Sequence, residues 1–331
     1  MVPVLSSLGR RRALRGGTAA LAVLGLLLWW LLPLDDGPPN DEITVSTGVR
    51  SGVYERYGML LRTALKEDMP DLEVRLKSSE GSQQNVERVA AGTADFTIAA
   101  ADAVEAYRLD RRPGADRLRG LARLYDDYVQ LVVPRTSPVH EVEQLRGKRV
   151  AVGQLGSGVR LIAERVLSAG GLDPEHDIQP VSIGIDTMTS ALKADRIDAF
   201  FWSGGLPTAS VHRLSEEHDI RFVEIGGLVD ALHDQGGASR YYRSSVIPAD
   251  AYPSAQQGAE VTTLAVANLL VTTDRAGTEL TERLTRTVID SRDHIGRNVH
   301  AVQLVDLRTA IYTAPLELHR GARRYYRSVK P

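Results

Sequence analysis

The stretch VAAGTADFTIAA, residues 89–100, has a counterpart in ALKADRIDAFFW, residues 191–202. In both, an apolar helix-like segment ends at a turn residue, and an aspartate three positions later opens an apolar strand. The turn residue and the aspartate are Gly92 and Asp95 in the first stretch, and Asp195 and Asp198 in the second. This repeated order predicts that the chain contains two copies of one α/β unit.

Each stretch ends a longer run of alternating strands and helices. The first run has predicted strands at 43–45, 72–78 and 95–100, with helices at 54–67 and 83–91. The second run has predicted strands at 148–153, 178–183 and 197–202, with helices at 159–169 and 187–194. Two βαβαβ units in series predict an α/β protein with two lobes and a ligand cleft where the carboxyl ends of the strands meet.

Two further strands are predicted to connect the lobes. YVQLVVP, residues 128–134, leads into the second lobe, and LAVANLLVT, residues 264–272, returns to the first. The predicted first lobe therefore comprises residues 41–131 and 266–331, and the second comprises residues 132–265. Helices at 278–292 and 302–309 are expected to complete the first lobe.

The composition of the 331-residue chain excludes several classes of protein. A formal charge of −2 argues against a nucleic-acid-binding protein, which carries a concentrated basic face. Because the chain has no cysteine, disulfides, thiolate metal sites and cysteine nucleophiles are excluded. The eight histidines are scattered and show no HExxH spacing. We therefore expect a monomer with no metal, no cofactor and no catalytic residues.

The N-terminal segment has the layout of an export signal. Residues 1–17 are rich in arginine, residues 18–34 (TAALAVLGLLLWWLLPL) carry no charge, and residues 35–40 (DDGPPN) resemble a polar linker. A basic start before an apolar run leaves the start in the cytoplasm and directs the following chain outward. We find no A-x-A-like cleavage site and predict a retained membrane anchor; a cleaved signal that releases a secreted protein is the alternative. Both place residues 41–331 outside the cytoplasm.

Three glycine-bearing loops follow predicted strands: STGVRSGVYERYG at 46–58, SSEGS at 78–82 and QLGSG at 154–158. They lack the lysine of a phosphate-binding P-loop, the G-x-G-x-x-G dinucleotide fingerprint and the G-x-S-x-G elbow of hydrolases. Backbone N–H groups at helix N-termini, with the hydroxyls of Ser82 and Ser157 and the amide of Asn85, suit a carboxylate ligand. The alternative is that the glycines only make tight turns and that the serines, including Ser82, only cap helices.

Six segments in order carry a resemblance to a known family. They are GVRSGVYERYG, SSEGSQQN, AGTADFTIAAADAVEAY, VAVGQLGSGVR, DAFFWSGGLPTA and LHRGARRYY, between residues 43 and 326. These segments resemble the motifs of TAXI-type solute receptors of TRAP transporters. The resemblance implies a type II periplasmic-binding fold that closes on a small anionic solute, an organic acid or amino acid such as glutamate or 2-oxoglutarate. It also implies delivery of the solute to the membrane subunit of a sodium-driven TRAP permease.

Carried over by position, the resemblance implies a set of ligand-binding residues. Those in the first lobe are Gly52, Val53, Tyr54, Ser82, Asn85, Ala101 and Asp102, and those in the second are Gly156, Ser157, Gly158, Trp202 and Gly204. Arg50 stands where the family often has a small residue, and we consider both a bidentate contact with a ligand carboxylate and a solvated position at the rim. Ala101 replaces a polar serine of the family, which removes one hydrogen-bonding partner.

Two rival functions follow from the same residues. A membrane-tethered sensor that binds a solute and signals to a kinase partner is consistent with the predicted anchor and the altered loops. An enzyme on the same fold would need an acid–base pair or an activated nucleophile, and the sequence shows neither. The transport receptor is therefore the predicted function.

Overall fold

The computed structural model describes residues 42–298 and 307–329. The predicted cytoplasmic segment 1–17, the anchor 18–34 and the linker 35–40 lie outside the described residues. Within the described ranges, no helix is both long enough and apolar enough to cross a membrane.

The first predicted βαβαβ unit is present. It consists of β1 (Glu42–Ser46), α1 (Val53–Asp68), β2 (Glu73–Lys77), α2 (Ser82–Ala90) and β3 (Phe96–Ala100), and α3 (Ala101–Leu109) follows directly. β1 lies between β2 and β3 and is parallel to both. In α1, Tyr57, Leu61 and Leu65 are buried at a spacing of four residues, so this helix turns one apolar face to the sheet.

A long strand, β4 (Leu118–Pro134), leads to the second unit. That unit consists of β5 (Arg149–Ala151), α4 (Gly158–Ala169), β6 (Gln179–Val181), α5 (Ile185–Lys193) and β7 (Ala199–Gly204), and α6 (Ala209–Glu217) follows. β5 is parallel to both β6 and β7. The buried residues of α4 recur at helical spacing and face this second group of strands; they are Val159, Ile162, Ala163, Val166 and Leu167.

The remaining elements complete the chain. They are β8 (Ile220–Val223), α7 (Val229–Asp234), β9 (Arg243–Ile247), α8 (Pro253–Gln256), β10 (Val261–Thr273), α9 (Thr278–Asp290), α10 (Arg292–Asn298), α11 (Leu307–Ala310) and α12 (Arg320–Ser328). The predicted helix at 302–309 is described only from residue 307 onward.

The two matched stretches have the same local structure. Each aspartate accepts a hydrogen bond at 2.7 Å from a backbone N–H of the neighbouring strand, and each donates its own N–H back at 2.8 Å. The partners are Thr44 for Asp95 and Arg149 for Asp198. Both turn residues have positive φ, +74° at Gly92 and +51° at Asp195. The predicted repeat is therefore confirmed, because in each unit an aspartate side chain forms a hydrogen bond that joins the final strand to the first strand.

The two long strands β4 and β10 join the two parallel groups. The order along the sheet is β2-β1-β3-β10-β4-β7-β5-β6, with β8 paired to β4 and β9 paired to β10. All pairings of β10 and β4 are antiparallel. β4 begins ten positions earlier than predicted, at Leu118 rather than at residue 128. The predicted lobe boundaries, after residues 131 and 265, fall inside these two strands.

Candidate functional site

A cleft lies where the glycine loops of the two units meet. The empty space between its lining atoms, counted out into open solvent at the mouth, is about 670 Å³. Its apolar wall includes Val159, Ile162, Ile185, Met188 and Trp202 from the second unit.

Four helices begin at this cleft. The residues that precede or open them line it: Gly52 before α1, Gly81 before α2, Ser157 before α4 and Gly184 before α5. Only Ser157 caps its helix through its side chain, by accepting a hydrogen bond from Arg160 N at 3.2 Å. The first N–H groups of a helix carry partial positive charge. The cleft therefore offers polar backbone donors from both lobes.

The structure brings together eight of the thirteen residues predicted to bind ligand. The residues that line the cleft are Gly52, Val53, Tyr54, Ser82, Ser157, Gly158, Trp202 and Gly204. They come from four separate segments of the chain. Their role in ligand binding remains a prediction, but their common location agrees with it.

The other five predicted residues lie elsewhere. Arg50 is on an exposed turn and borders an adjacent, more open depression. Asn85 is fully buried, and Ala101 and Asp102 are buried at the start of α3. Gly156 is in the loop before α4, where its carbonyl accepts a hydrogen bond from Gln84 N. None of the five is among the residues that line the cleft.

Asn85 holds strands together. Its Nδ2 donates to the carbonyls of Thr47 and Ile98 at 2.6 and 2.9 Å, and its Oδ1 accepts from Ser46 Oγ at 2.7 Å. Both N–H bonds of the amide are thereby used within the first lobe. The structure therefore explains Asn85 as a connector between β1, the loop after it and β3.

Ser82 does not cap α2, contrary to the expectation from sequence. The residue before the helix is Gly81, and Ser82 is the first helical residue. Its Oγ instead accepts from Ala100 N at 3.1 Å and lies 2.9 Å from the hydroxyl of Tyr54. Tyr54 also donates to Asn268 Oδ1 at 2.5 Å. Burial raises the pKa of Tyr54 well above its usual value, so the hydroxyl stays protonated as a donor.

The sequence analysis missed Asp127, a buried carboxylate that lines the cleft. Only 5% of this residue is exposed, and its Oδ1 is buried with no hydrogen-bond partner among the described residues. Desolvation raises the pKa of Asp127 to about 7, although neighbouring Asn268 and Tyr54 offset part of the rise. The sequence offered one indication of this residue, since two consecutive aspartates, Asp126 and Asp127, stand directly before the predicted strand at 128–134.

The side chains of the cleft supply negative charge and no positive charge. Asp127 and the exposed Glu80 are among the lining residues, and no lysine, arginine or histidine is. The predicted anionic solute therefore finds no side-chain cation in the lining, and only the helix N-termini offset its charge. The described part of the chain also contains no group of three or more histidine, aspartate or glutamate residues that could hold a metal ion.

Direct hydrogen bonds join the two units beside the cleft. Gln84 N donates to Gly156 O at 3.0 Å, and Gln83 Nε2 donates to Ser157 O at 2.7 Å. Ser51 Oγ donates to the carboxylate of Asp186. Since each contact joins a first-unit loop or helix to a second-unit loop or helix, the structure shows the two lobes closed on each other.

Gly81 is expected to be essential to this closed arrangement. Its φ of +133° and ψ of −155° lie in a region that is open in practice only to glycine, and a residue held there costs about 1–3 kcal/mol. A Cβ at this position would also lie 3.3 Å from Gly158 N and Ser157 Cα, both in the opposite lobe. We expect Gly81→Ala to lower the melting temperature and to enlarge the radius of gyration in X-ray scattering by opening the cleft.

Gly92→Ala is the matched control for that experiment. Gly92 also has positive φ, +74°, but a Cβ there would meet nothing within 4 Å. This variant should lose some stability and keep the radius of gyration of the unmodified protein. An unchanged radius in Gly81→Ala would contradict the role given to Gly81 in closure.

Several solved solute-binding proteins share the fold of this chain. The alkanesulfonate-binding protein SsuA from Xanthomonas axonopodis pv. citri, bound to MOPS, matches with a TM-score of 0.50 and 17% identity, over 89% of this chain and 86% of its own. An ancestral arginine-binding protein bound to arginine matches with a TM-score of 0.50 and 14% identity, over 78% and 98%. A substrate-binding protein of an ABC uptake transporter from Streptococcus pneumoniae, with bound histidine, matches with a TM-score of 0.50 and 14% identity, over 80% and 94%. The chain thus has the mixed α/β, two-lobed fold of periplasmic solute-binding proteins.

The chain belongs to the NMT1-like family, whose profile matches residues 45–329. The match starts within β1 and includes the rest of the first βαβαβ unit, the whole second unit and the two long strands.

Proposed function

We propose that this protein is an extracytoplasmic receptor that closes on a small solute and delivers it to a membrane transporter. The observation that carries the proposal is the cleft between four helix starts, two from each lobe, with hydrogen bonds between the lobes beside it. The fold is one that binds sulfonates and amino acids in other proteins.

The proposal has finer parts that rest on the sequence. The resemblance to TAXI-type receptors favours a TRAP permease as the membrane partner, and the arginine-rich start with its apolar run favours a tether to the membrane. The lobes proposed to close are residues 41–131 with 266–331, and residues 132–265, acting as a monomer. We propose binding without turnover, since the cleft residues show no arrangement of a nucleophile and its base.

The test uses the full-length chain in mild detergent with a panel of amino acids, amines, sulfonates, dicarboxylates and 2-oxo acids. A solute that binds the folded state stabilises it by mass action, by about 2.7 kcal/mol at a hundredfold excess over Kd. We expect a saturable rise in melting temperature for at least one class, and mass spectrometry should recover that solute unchanged. A panel without any saturable shift would count against a receptor for such solutes, and a chemically altered solute would indicate an enzyme.

A further inference from the structure

Asp127 is a buried carboxyl group that forms no ion pair with any described residue, although Asn268 and Tyr54 lie beside it. It is 5% exposed and lines the cleft, and no lysine, arginine or histidine of the described residues lies within ion-pair distance of it. Its Oδ1 is buried and has no hydrogen-bond partner in the described part of the chain. Burying a charged carboxylate in this way is unfavourable, so the group is either protonated or neutralised by a partner that arrives from outside.

The neighbouring aspartate shows that the sequence can provide such partners. Asp126 is adjacent on β4 and forms ion pairs with Arg123, at 2.9 Å, and with Arg243. Successive side chains of a strand point to opposite faces of the sheet, so Asp126 is neutralised on one face and Asp127 enters the cleft on the other. Two adjacent carboxylates thus have opposite environments, and only the one in the cleft is unpaired.

The surroundings of Asp127 restrict the rest of the ligand. Ser203 is also among the residues that line the cleft, and its buried Oγ has no hydrogen-bond partner among the described residues. The apolar wall of Val159, Ile162 and Met188 offers hydrophobic contact to a small aliphatic or aromatic body. The complementary ligand has one cationic donor group attached to a compact apolar body.

We propose that the solute bound in this cleft carries a protonated amine, which Asp127 binds as its counter-ion, on a small apolar body. This inference rests on the proposed function as a solute receptor and names the chemical class of its ligand. An ammonium group donates up to three hydrogen bonds, and these would satisfy the Oδ1 of Asp127 and the Oγ of Ser203. A simple amine and a neutral amino acid share this group; in the amino acid, the helix N-termini of the cleft would receive the carboxylate.

The test is isothermal titration calorimetry of the full-length chain in mild detergent with a matched series of probes. The probes are 3-methylbutylamine, leucine, 4-methylpentanoate and glutarate, which keep a similar size while the charged groups change. We expect saturable binding of leucine or of 3-methylbutylamine, and no binding of 4-methylpentanoate or glutarate. Leucine alone would identify an amino acid receptor, and 3-methylbutylamine alone an amine receptor; both results support the inference.

Asp127→Asn removes the charge with little change of shape. Binding of the amine probe should weaken roughly ten- to a hundredfold, the equivalent of one charge-assisted hydrogen bond. Asp126→Asn is the control, since Asp126 lies outside the cleft lining, and it should change binding less than about threefold.

The outcomes separate the inference from the proposed function. Saturable binding of 4-methylpentanoate or glutarate, without binding of leucine or 3-methylbutylamine, would overturn the inference but support the proposed receptor function. Amine binding that is equally strong in Asp127→Asn would also overturn it. Absence of binding by all four probes overturns it as well, and the wider panel above then decides whether the receptor function stands.

Discussion

Arg165→Met is expected to lower the free energy of unfolding by roughly 3–5 kcal/mol, the effect of removing one partner of a buried ion pair. Asp102 is fully buried, and its Oδ2 lies 2.7 Å from Arg165 Nη1 and accepts from the hydroxyl of Tyr242 at 2.6 Å. Without the guanidinium, a buried carboxylate would keep only the hydroxyl as partner. Denaturant unfolding monitored by circular dichroism measures the change.

Two further variants give this prediction its controls. Arg75→Met breaks an exposed ion pair with Glu42 and should change stability by less than about 1 kcal/mol. Adding Asp102→Asn to Arg165→Met removes the buried carboxylate that has lost its arginine partner. The double variant should recover a large part of the lost unfolding free energy. If Arg165→Met unfolds at the same denaturant concentration as the unmodified protein, the ion pair is not structural.

Asp127→Asn is expected to stabilise the ligand-free protein at pH 8, by on the order of 4 kcal/mol. The pKa of Asp127 is raised from 3.8 to about 7, and each unit corresponds to about 1.4 kcal/mol. Between these values the folded state binds more protons than the unfolded state, so stability falls as pH rises. The contribution of the protonated carboxyl is fully present below about pH 4 and is lost as pH rises through about 7.

The measurement is the difference in unfolding free energy between Asp127→Asn and the unmodified protein from pH 4 to pH 8. Taking the difference cancels titrations that both proteins share, while the nearby carboxylates of Asp126 and Asp102 remain in both. The difference should be small near pH 4 and grow as pH rises. A difference that is constant with pH would show that Asp127 titrates as an ordinary surface carboxyl. Together with loss of amine binding, a growing difference would mark a residue kept for function at the expense of stability.

The sequence predicted what depends on near neighbours in the chain. The order of strands and helices, the turn and aspartate of each repeat, and the glycine loops at strand ends are patterns within short stretches of the chain. Asp95 and Asp198 were identified by the repeated sequence pattern, and in the structure each forms a hydrogen bond to the first strand of its own unit. Eight predicted residues share one cleft because the same local order recurs in both units.

Only the tertiary structure decided which carboxylates are paired. Asp102 meets an arginine 63 positions away, whereas Asp127 meets none among the described residues. On sequence alone, Asp102 was the predicted ligand contact and Asp127 went unnoticed. The reason is physical: the environment of a buried charge depends on the side chains that other elements bring to it, and its energy changes by several kcal/mol according to whether one of them is a cation. Local pattern determined where the cleft is, and long-range packing determined its charge.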